Sequence, residues 1–267
     1  WTAYLKAHWP AEFMASLMTS DQNDIERIAF LIDECKQMEL KVLPPDINES
    51  EENFSVTGPS QIRFGLLAVK NVGQNVVRAI VSERKNSGRF KSITDFIERI
   101  NSKDLNKKSL ESLIKCGAFD EFNERNQLLV SLEQLLNLSR EIQKTRQSGQ
   151  ESLFSQTPLI ETASFKFVET EPAAKKERLL WEKELLGLYL SEHPLLSYQK
   201  QLKAIAIPCK NLLKQGNSQP VSPSQGGSVV IAGVINKIRR INTRTGQPML
   251  FVELEDLSGR IEVVVFP

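Results

Sequence analysis

The spacing of apolar residues divides the chain into a helical majority and a short β-rich end. Residues 1–40 predict helices over "PAEFMASLMTS" and "DQNDIERIAFLIDECKQMEL". In the second, Ile25, Ile28, Ala29, Ile32 and Cys35 follow the 3.6-residue period, and Asp21 or Asn23 can cap its start. "KVLPPDINES" ends helical order, because paired prolines force extended backbone before Asp46. From Ile62 to Asn137 the pattern is short helices and tight turns. "QIRFGLLAV" leads into "KNVG", then "QNVVRAIVSERKNSG", and "SITDFIERI" follows with Ser92 or Thr94 as its cap. "NKKSLESLIKCGAFDEF" and the long amphipathic "NERNQLLVSLEQLLNLSREIQKTRQSG" complete the section. Residues 148–175 have the composition of a linker, and "KKERLLWEKELLGLYL" is a further helix stopped at His193-Pro194. After a Gly/Ser/Pro-rich stretch, residues 228–267 alternate in period two and predict three strands joined by "NTRTGQP" and "EDLSGR". The fold class expected is mainly α with a small β C-terminal part.

Charge sharpens this division. Residues 1–55 hold 4 Lys+Arg against 11 Asp+Glu, residues 56–150 hold 16 against 10, and the remainder 14 against 12. The near-neutral total of +1 therefore hides a basic middle section, the place to look for a polyanionic partner. No apolar run reaches the roughly 20 residues that span a bilayer, and the start resembles no signal peptide. The expectation is a cytoplasmic protein with no membrane role, cut from a longer chain because it does not begin with Met. Cys35, Cys116 and Cys209 are far apart, which suits a reducing compartment, and with only His8 and His193 beside them they predict no metal site. His193, before a proline at a helix end, reads as structural.

Three stretches carry candidate chemistry. In "GLLAVKNVGQNVVRAI" (Gly65–Ile80) a helix enters a four-residue turn, Gly73 permits positive φ and Asn75 can cap the next helix. Backbone N–H groups of Val72, Gly73 and Gln74 would then point outward at a helix N-terminus, with Lys70, Asn71 and Arg78 beside them. This resembles the helix-hairpin-helix motif, which grips the sugar-phosphate backbone. "LIKCGAFDEFNERNQLL" (Leu113–Leu129) is a candidate second copy, with Gly117 at the turn and Lys115 and Arg125 flanking it; Asp120, Glu121 and Glu124 crowd its exit. An ordinary αα-hairpin explains one copy equally well, whereas two copies in the basic section favour DNA. At the C-terminus the strand meander reads as the first half of an OB-fold. Lys237, Arg239, Arg240 and Arg244 lie on its first strand and turn, with Phe251 on the second. Such a face suits single-stranded nucleic acid, while a plain meander would bury Phe251 as core. Third, "QESLF" (Gln150, Glu151, Ser152, Leu153, Phe154) places two large apolar side chains in a polar stretch. Burying both in a partner would contribute roughly 3–6 kcal/mol before ordering costs.

The blocks "YLKAHWPAEFMASLMTS", "ECKQMELKVLPPDINES", "IRFGLLAVKNVGQNVVRAI", "SLIKCGAFDEF", "ELLGLYLSEHPL" and "FVELEDLSGRIEVVVFP", in this order, resemble the replicative DNA polymerases of bacteria, the DNA polymerase III α subunits. The resemblance implies the end of the fingers region (1–55), a tandem helix-hairpin-helix domain (56–147), a clamp-binding motif and linker (148–175), a helical connector (176–227) and the start of an OB domain (228–267). It further implies a nucleotidyltransferase whose three palm aspartates and two Mg²⁺ ions lie upstream of Trp1, so that this part has no catalytic residues of its own. Duplex DNA would be held by the Lys70–Asn75 hairpin, and the sliding clamp (the β subunit) by Gln150–Phe154. The OB part would meet single-stranded template or another replisome subunit. The rival readings are a free-standing nucleic-acid adaptor and a helical scaffold whose basic surface touches only protein.

Overall fold

A computed structural model describes residues 1–100, 105–148, 165, 167–215, 229–242 and 246–267. They form two compact units, Trp1–Ser191 and Glu192–Pro267. The boundary falls within the stretch expected as a helical connector.

The first unit opens with α1 (Thr2–His8), α2 (Pro10–Ser20) and α3 (Ile25–Gln37). Of the residues read at helical spacing, Ile28, Ala29, Ile32 and Cys35 lie on the buried side of α3, and Ile25 is half-buried. Its cap is Asp24, whose carboxylate accepts the Arg27 N–H at 3.0 Å, and not Asp21 or Asn23. The difference is one of register, since helical geometry begins at Ile25, directly after Asp24 and two residues after Asn23. Next comes a small sheet of β1 (Lys41–Leu43), β2 (Ser55–Gly58) and β3 (Gln61–Arg63), in the order β1-β3-β2. β3 pairs parallel with β1 and antiparallel with β2. The stretch "QIRFGLLAV", expected to be helical, is thus β3 followed by a 3-10 turn at Leu66–Ala68.

Then follow α4 (Gln74–Ser87), α5 (Ile93–Arg99), α6 (Lys107–Lys115), α7 (Arg125–Val130) and α8 (Leu132–Ser148). Ser92 caps α5, accepting the Asp95 N–H, and Asn106 caps α6 in a reciprocal box with Ser109. The sequence pattern that predicts one long helix breaks at Ser131, so α7 and α8 are separate. α9 (Lys175–Leu186) ends on Gly187 in the left-handed conformation. One hydrophobic cluster runs from Ala11 to Leu188 and joins these elements, α1 excepted. At its centre Phe96 meets Phe90 and Phe119 edge-on, with ring centroids 5.1 and 5.0 Å apart. Buried Asn48 ties the same region together, accepting the Phe90 N–H at 2.8 Å and donating to the Phe90 carbonyl at 3.0 Å.

The second unit begins with a 3-10 turn at Pro194–Tyr198, capped by His193, whose Nδ1 accepts the Leu195 N–H. The structural role read for His193 is the one it has. Two short helices, α10 (Gln199–Ile205) and α11 (Cys209–Gln215), precede an antiparallel meander of β4 (Val234–Asn242), β5 (Pro248–Glu255) and β6 (Arg260–Val265). The β5–β6 turn holds the start of α11: Asp256 accepts the Cys209 N–H and Ser258 Oγ the Lys210 N–H. No helix among the described residues is long and apolar enough to cross a membrane. All three thiols are buried and reduced; burial pushes Cys35 and Cys116 up to about 12 and Cys209 to about 11.

One close approach sets a strict steric demand. A Cβ on Gly65 would lie 2.5 Å from the Asn53 carbonyl carbon and 2.7 Å from the Phe54 nitrogen, both backbone atoms that cannot swing aside. Gly65→Ala is therefore expected to destabilise the first unit by about 2–3 kcal/mol in chemical denaturation, the scale of overpacking a filled core.

Candidate nucleic-acid interface

The turn from the 3-10 segment into α4 is the feature to build from. Val69 and Val72 are buried and pin the turn to the core, while Lys70, Gly73, Gln74 and Asn75 are exposed. The Val72 N–H is used inside the turn, donating to the Val69 carbonyl at 3.2 Å, and is not offered outward as the sequence pattern implies. The positive φ is at Asn71 (68°) and not at Gly73, which sits at −84°, 158° as the N-cap of α4. Asparagine tolerates the left-handed region better than most residues, and here its Nδ2 reaches Ser112 Oγ on α6 at 3.3 Å. Asn75 lies in the first turn of α4 and does not cap it.

Gly73 brings no side chain to the cap, and a Cβ placed on it would have nothing within 4 Å. The first N–H groups of any α-helix have no intrahelical acceptor. Among the described residues those of Gly73, Gln74 and Asn75 find none elsewhere, so they face solvent at the positive end of a 14-residue helix. Lys70 is exposed beside them and has no ion-pair partner among the described residues. Arg78, one turn on, has a side chain 61% exposed and stands 3.9 Å from Glu52, a surface pair that an external anion can displace. Oriented amides, a lysine and a loosely held arginine together form a seat for a phosphate oxygen.

The second hairpin, α6 to α7, has the expected glycine and a different chemistry. Gly117 has φ 88° and is crowded by Arg125 and Asp120, so only glycine fits. Arg125, expected beside a phosphate, is 5% exposed. Its Nε donates to Asp120 at 2.9 Å, Nη2 to Asp120 at 2.7 Å, Nη1 to the Lys115 carbonyl at 3.0 Å, and both Nη1 and Nη2 to Glu182 at 3.3 and 3.4 Å. Burial works against its charge, but the Asp120 hydrogen bonds and the two carboxylates outweigh it and raise the pKa further. Arg125 is thus an internal cation, and its assignment to DNA is corrected on that ground. The start of α7 is filled as well: one Glu124 oxygen accepts Asn126 N–H at 2.7 Å and Gln127 N–H at 3.2 Å, and the other accepts Ala173 N–H at 2.9 Å. Lys115 pairs with Glu111 at 2.6 Å and lies over the Trp181 ring. A carboxylate already stands where a phosphate would sit. The signal was present in Glu124-Arg125 at a helix start; Glu182, 57 residues further on, gave none.

In the second unit the pleat separates residues that adjoin in sequence. Lys237 pairs across from Glu253 and Arg239 from Phe251, which places these four on one face. The Arg239 guanidinium lies 4.8 Å from the Phe251 ring centre, leaving Phe251 half-buried under a cation rather than in a core. Arg240 pairs across from Leu250 on the opposite face, with Ile238, Val252 and Val263, so it cannot act with Lys237 and Arg239 on one strand of nucleic acid. Arg244 and the peptide Gln150–Phe154 lie outside the described residues.

The helix-hairpin-helix motif family matches residues 39–128, and an OB-fold nucleic acid binding domain matches residues 229–267. The chain is 40% identical to DNA polymerase III subunit alpha of Thermus aquaticus over 265 residues, which is 99% of this chain and 21% of that protein. The same subunit of Deinococcus radiodurans is 40% identical over 99% of this chain and 20% of that protein, and that of Aquifex aeolicus 36% identical over all of this chain and 21% of that protein. The chain thus spans about one fifth of the curated relatives it matches. The family resemblance drawn from the sequence holds across both units, a helix-hairpin-helix domain and part of an OB-fold.

Because Glu124 closes α7 from within, Glu124→Ala is expected to lower stability by about 1–2 kcal/mol, a lost cap. It should not weaken duplex-DNA binding in a binding titration, since it takes a carboxylate away from the start of α7 and leaves the Asn126 and Gln127 N–H groups open.

Proposed function

We propose that this chain is the duplex-holding portion of a bacterial replicative DNA polymerase, and that it grips the sugar-phosphate backbone at the turn Lys70–Asn75. The observation that carries the reading is the open start of α4. Its first amides meet no acceptor among the described residues, Lys70 is unpaired among them as well, and the stretch lies inside the helix-hairpin-helix match. Amides and a flexible ammonium fix position without reading bases, as a replicative enzyme that must accept every sequence requires. One seat, not two, follows from the occupied second hairpin.

The Lys237–Arg239–Phe251 face is proposed to meet a single strand, with the cation-capped ring as stacking platform. For Gln150–Phe154 we propose docking on the sliding clamp, on the strength of the pentapeptide's composition and its place after the hairpins. Nucleotide transfer with two Mg²⁺ ions is assigned to other parts of the polymerase. The described residues hold no group of three or more His, Cys, Asp or Glu fit for a metal ion. The free-standing adaptor is disfavoured because the similarity extends beyond the two nucleic-acid-binding matches, to 99% of the chain.

Lys70→Ala should weaken binding to a duplex of arbitrary sequence and reduce the slope of log K against log salt by about 1, the share of one phosphate contact. A slope equal to that of the unmodified chain would remove Lys70 from the contact. Separately, Leu153→Ala/Phe154→Ala should abolish association with the purified clamp in a sedimentation or interferometry assay and leave duplex affinity unaltered; retained clamp binding would refute that assignment.

A further inference from the structure

The buried ion network around Arg125 has no part in the phosphate seat, yet it is connected to it. Glu182, on α9, is 2% exposed and accepts from two directions. One oxygen takes Arg125 at 3.3 and 3.4 Å, and the other takes the Leu190 N–H (3.2 Å), the Ser191 N–H (3.0 Å) and the Ser191 Oγ–H (2.9 Å). Arg125 is in turn held by Asp120 and the Lys115 carbonyl, so the second hairpin and α9 are fastened together through groups with no spare valence. Three residues after Glu182, the Leu185 carbonyl accepts the Lys70 N–H at 3.1 Å. Gly187 then packs against Ile25 on α3 with no room for a Cβ, which stops α9 from sliding along its axis.

From this geometry we infer that Arg125 and Glu182 are positioning residues for the DNA seat, acting through the Leu185 carbonyl on the Lys70 backbone. The inference rests on the DNA reading above. The physical argument is that interactions at phosphate distance are sensitive to small displacements, whereas a buried, fully satisfied charge network is stiff. The Lys70 amide belongs to the seat's own backbone, so its anchor decides where the neighbouring side chain and the α4 amides stand. The second hairpin, closed to phosphate by Glu124, keeps a use in this scheme: it is the abutment that holds α9 against the first. Sequence reading placed Arg125 at the DNA; the structure gives it a part in binding at one remove.

Glu182→Gln tests this. The amide keeps one acceptor oxygen but turns an NH₂ group towards donors, either Arg125 or the Leu190–Ser191 amides, so one side of the network must open. In the whole chain, at a temperature where the variant remains folded by circular dichroism, amide hydrogen exchange at Lys70 should speed up about tenfold and duplex-DNA Kd should rise about tenfold. The Kd effect should shrink in a Lys70→Ala background, because both changes act on one seat. A substitution of purely structural consequence would lower the melting temperature, speed exchange evenly across the protected amides of the unit rather than at Lys70 in particular, and leave Kd unmoved. Folded Glu182→Gln with unchanged Lys70 exchange overturns the inference. If Glu182→Gln does not fold, Arg125→Lys, which keeps the charge and loses the fork, is measured in the same way with the same expected result. Should Lys70→Ala bind DNA normally while Glu182→Gln still accelerates exchange at Lys70, the mechanical link stands and the DNA reading fails. Weakened DNA binding by Lys70→Ala with unaltered Kd in Glu182→Gln would defeat the inference and leave the DNA reading intact.

Discussion

An α-helix must find acceptors for the N–H groups of its first turn, and how each helix here meets that demand organises the first unit. Asp24 serves α3, Ser92 serves α5, Asn106 serves α6 and Glu124 serves α7, each a side chain at the cap position. α1, α2, α4 and α9 have no side-chain cap bond, and of these α4 begins on a glycine. Its amides are left to solvent, beside a lysine that is unpaired among the described residues. Self-capped helices are finished structures, whereas the start of α4 is left open to an anion.

The two hairpins show how one local shape comes to serve opposite ends. Each has a turn with one residue at positive φ, Asn71 in the first and Gly117 in the second, and a helix leading away. What differs is the charge brought to the turn. The first has Lys70 and no acid closer in sequence than Glu52 and Glu83; the second has Asp120, Glu121 and Glu124 within eight residues of its glycine. Those acids draw Arg125 inward, and a guanidinium buried between two carboxylates is retained only with nearly every donor used, as it is here. A motif match across residues 39–128 thus covers one turn fit for phosphate and one turned to internal support.

Much of this architecture was legible in the sequence, because burial imposes a period on it. Ile25, Ile28, Ala29, Ile32 and Cys35 gave α3, Ser92 or Thr94 gave the start of α5 and the structure chooses Ser92, and alternation gave the β4–β6 meander. Where reading failed, the missing information was geometric. Among Asp21, Asn23 and Asp24 three side chains can cap, and only the observed register chooses Asp24. Glycine is the obvious bearer of a positive φ, yet Asn71 takes it, with Ser112 of α6 within reach of its amide. Arg239 and Arg240 look like one basic cluster until the pleat sends them to opposite faces. The burial of Arg125 depends on Glu182, distant in sequence, and no local pattern announces such a partner.

The central claim is that phosphate is met at the open start of α4. Titrating the isotope-labelled chain with a short DNA duplex and following backbone amide resonances tests it most directly. The account predicts that Gly73, Gln74 and Asn75 shift together and saturably, while Asn126 and Gln127, already bonded to Glu124, stay in place. Shifts confined to Asn126 and Gln127, or a DNA complex that leaves residues 73–75 unmoved, would contradict it.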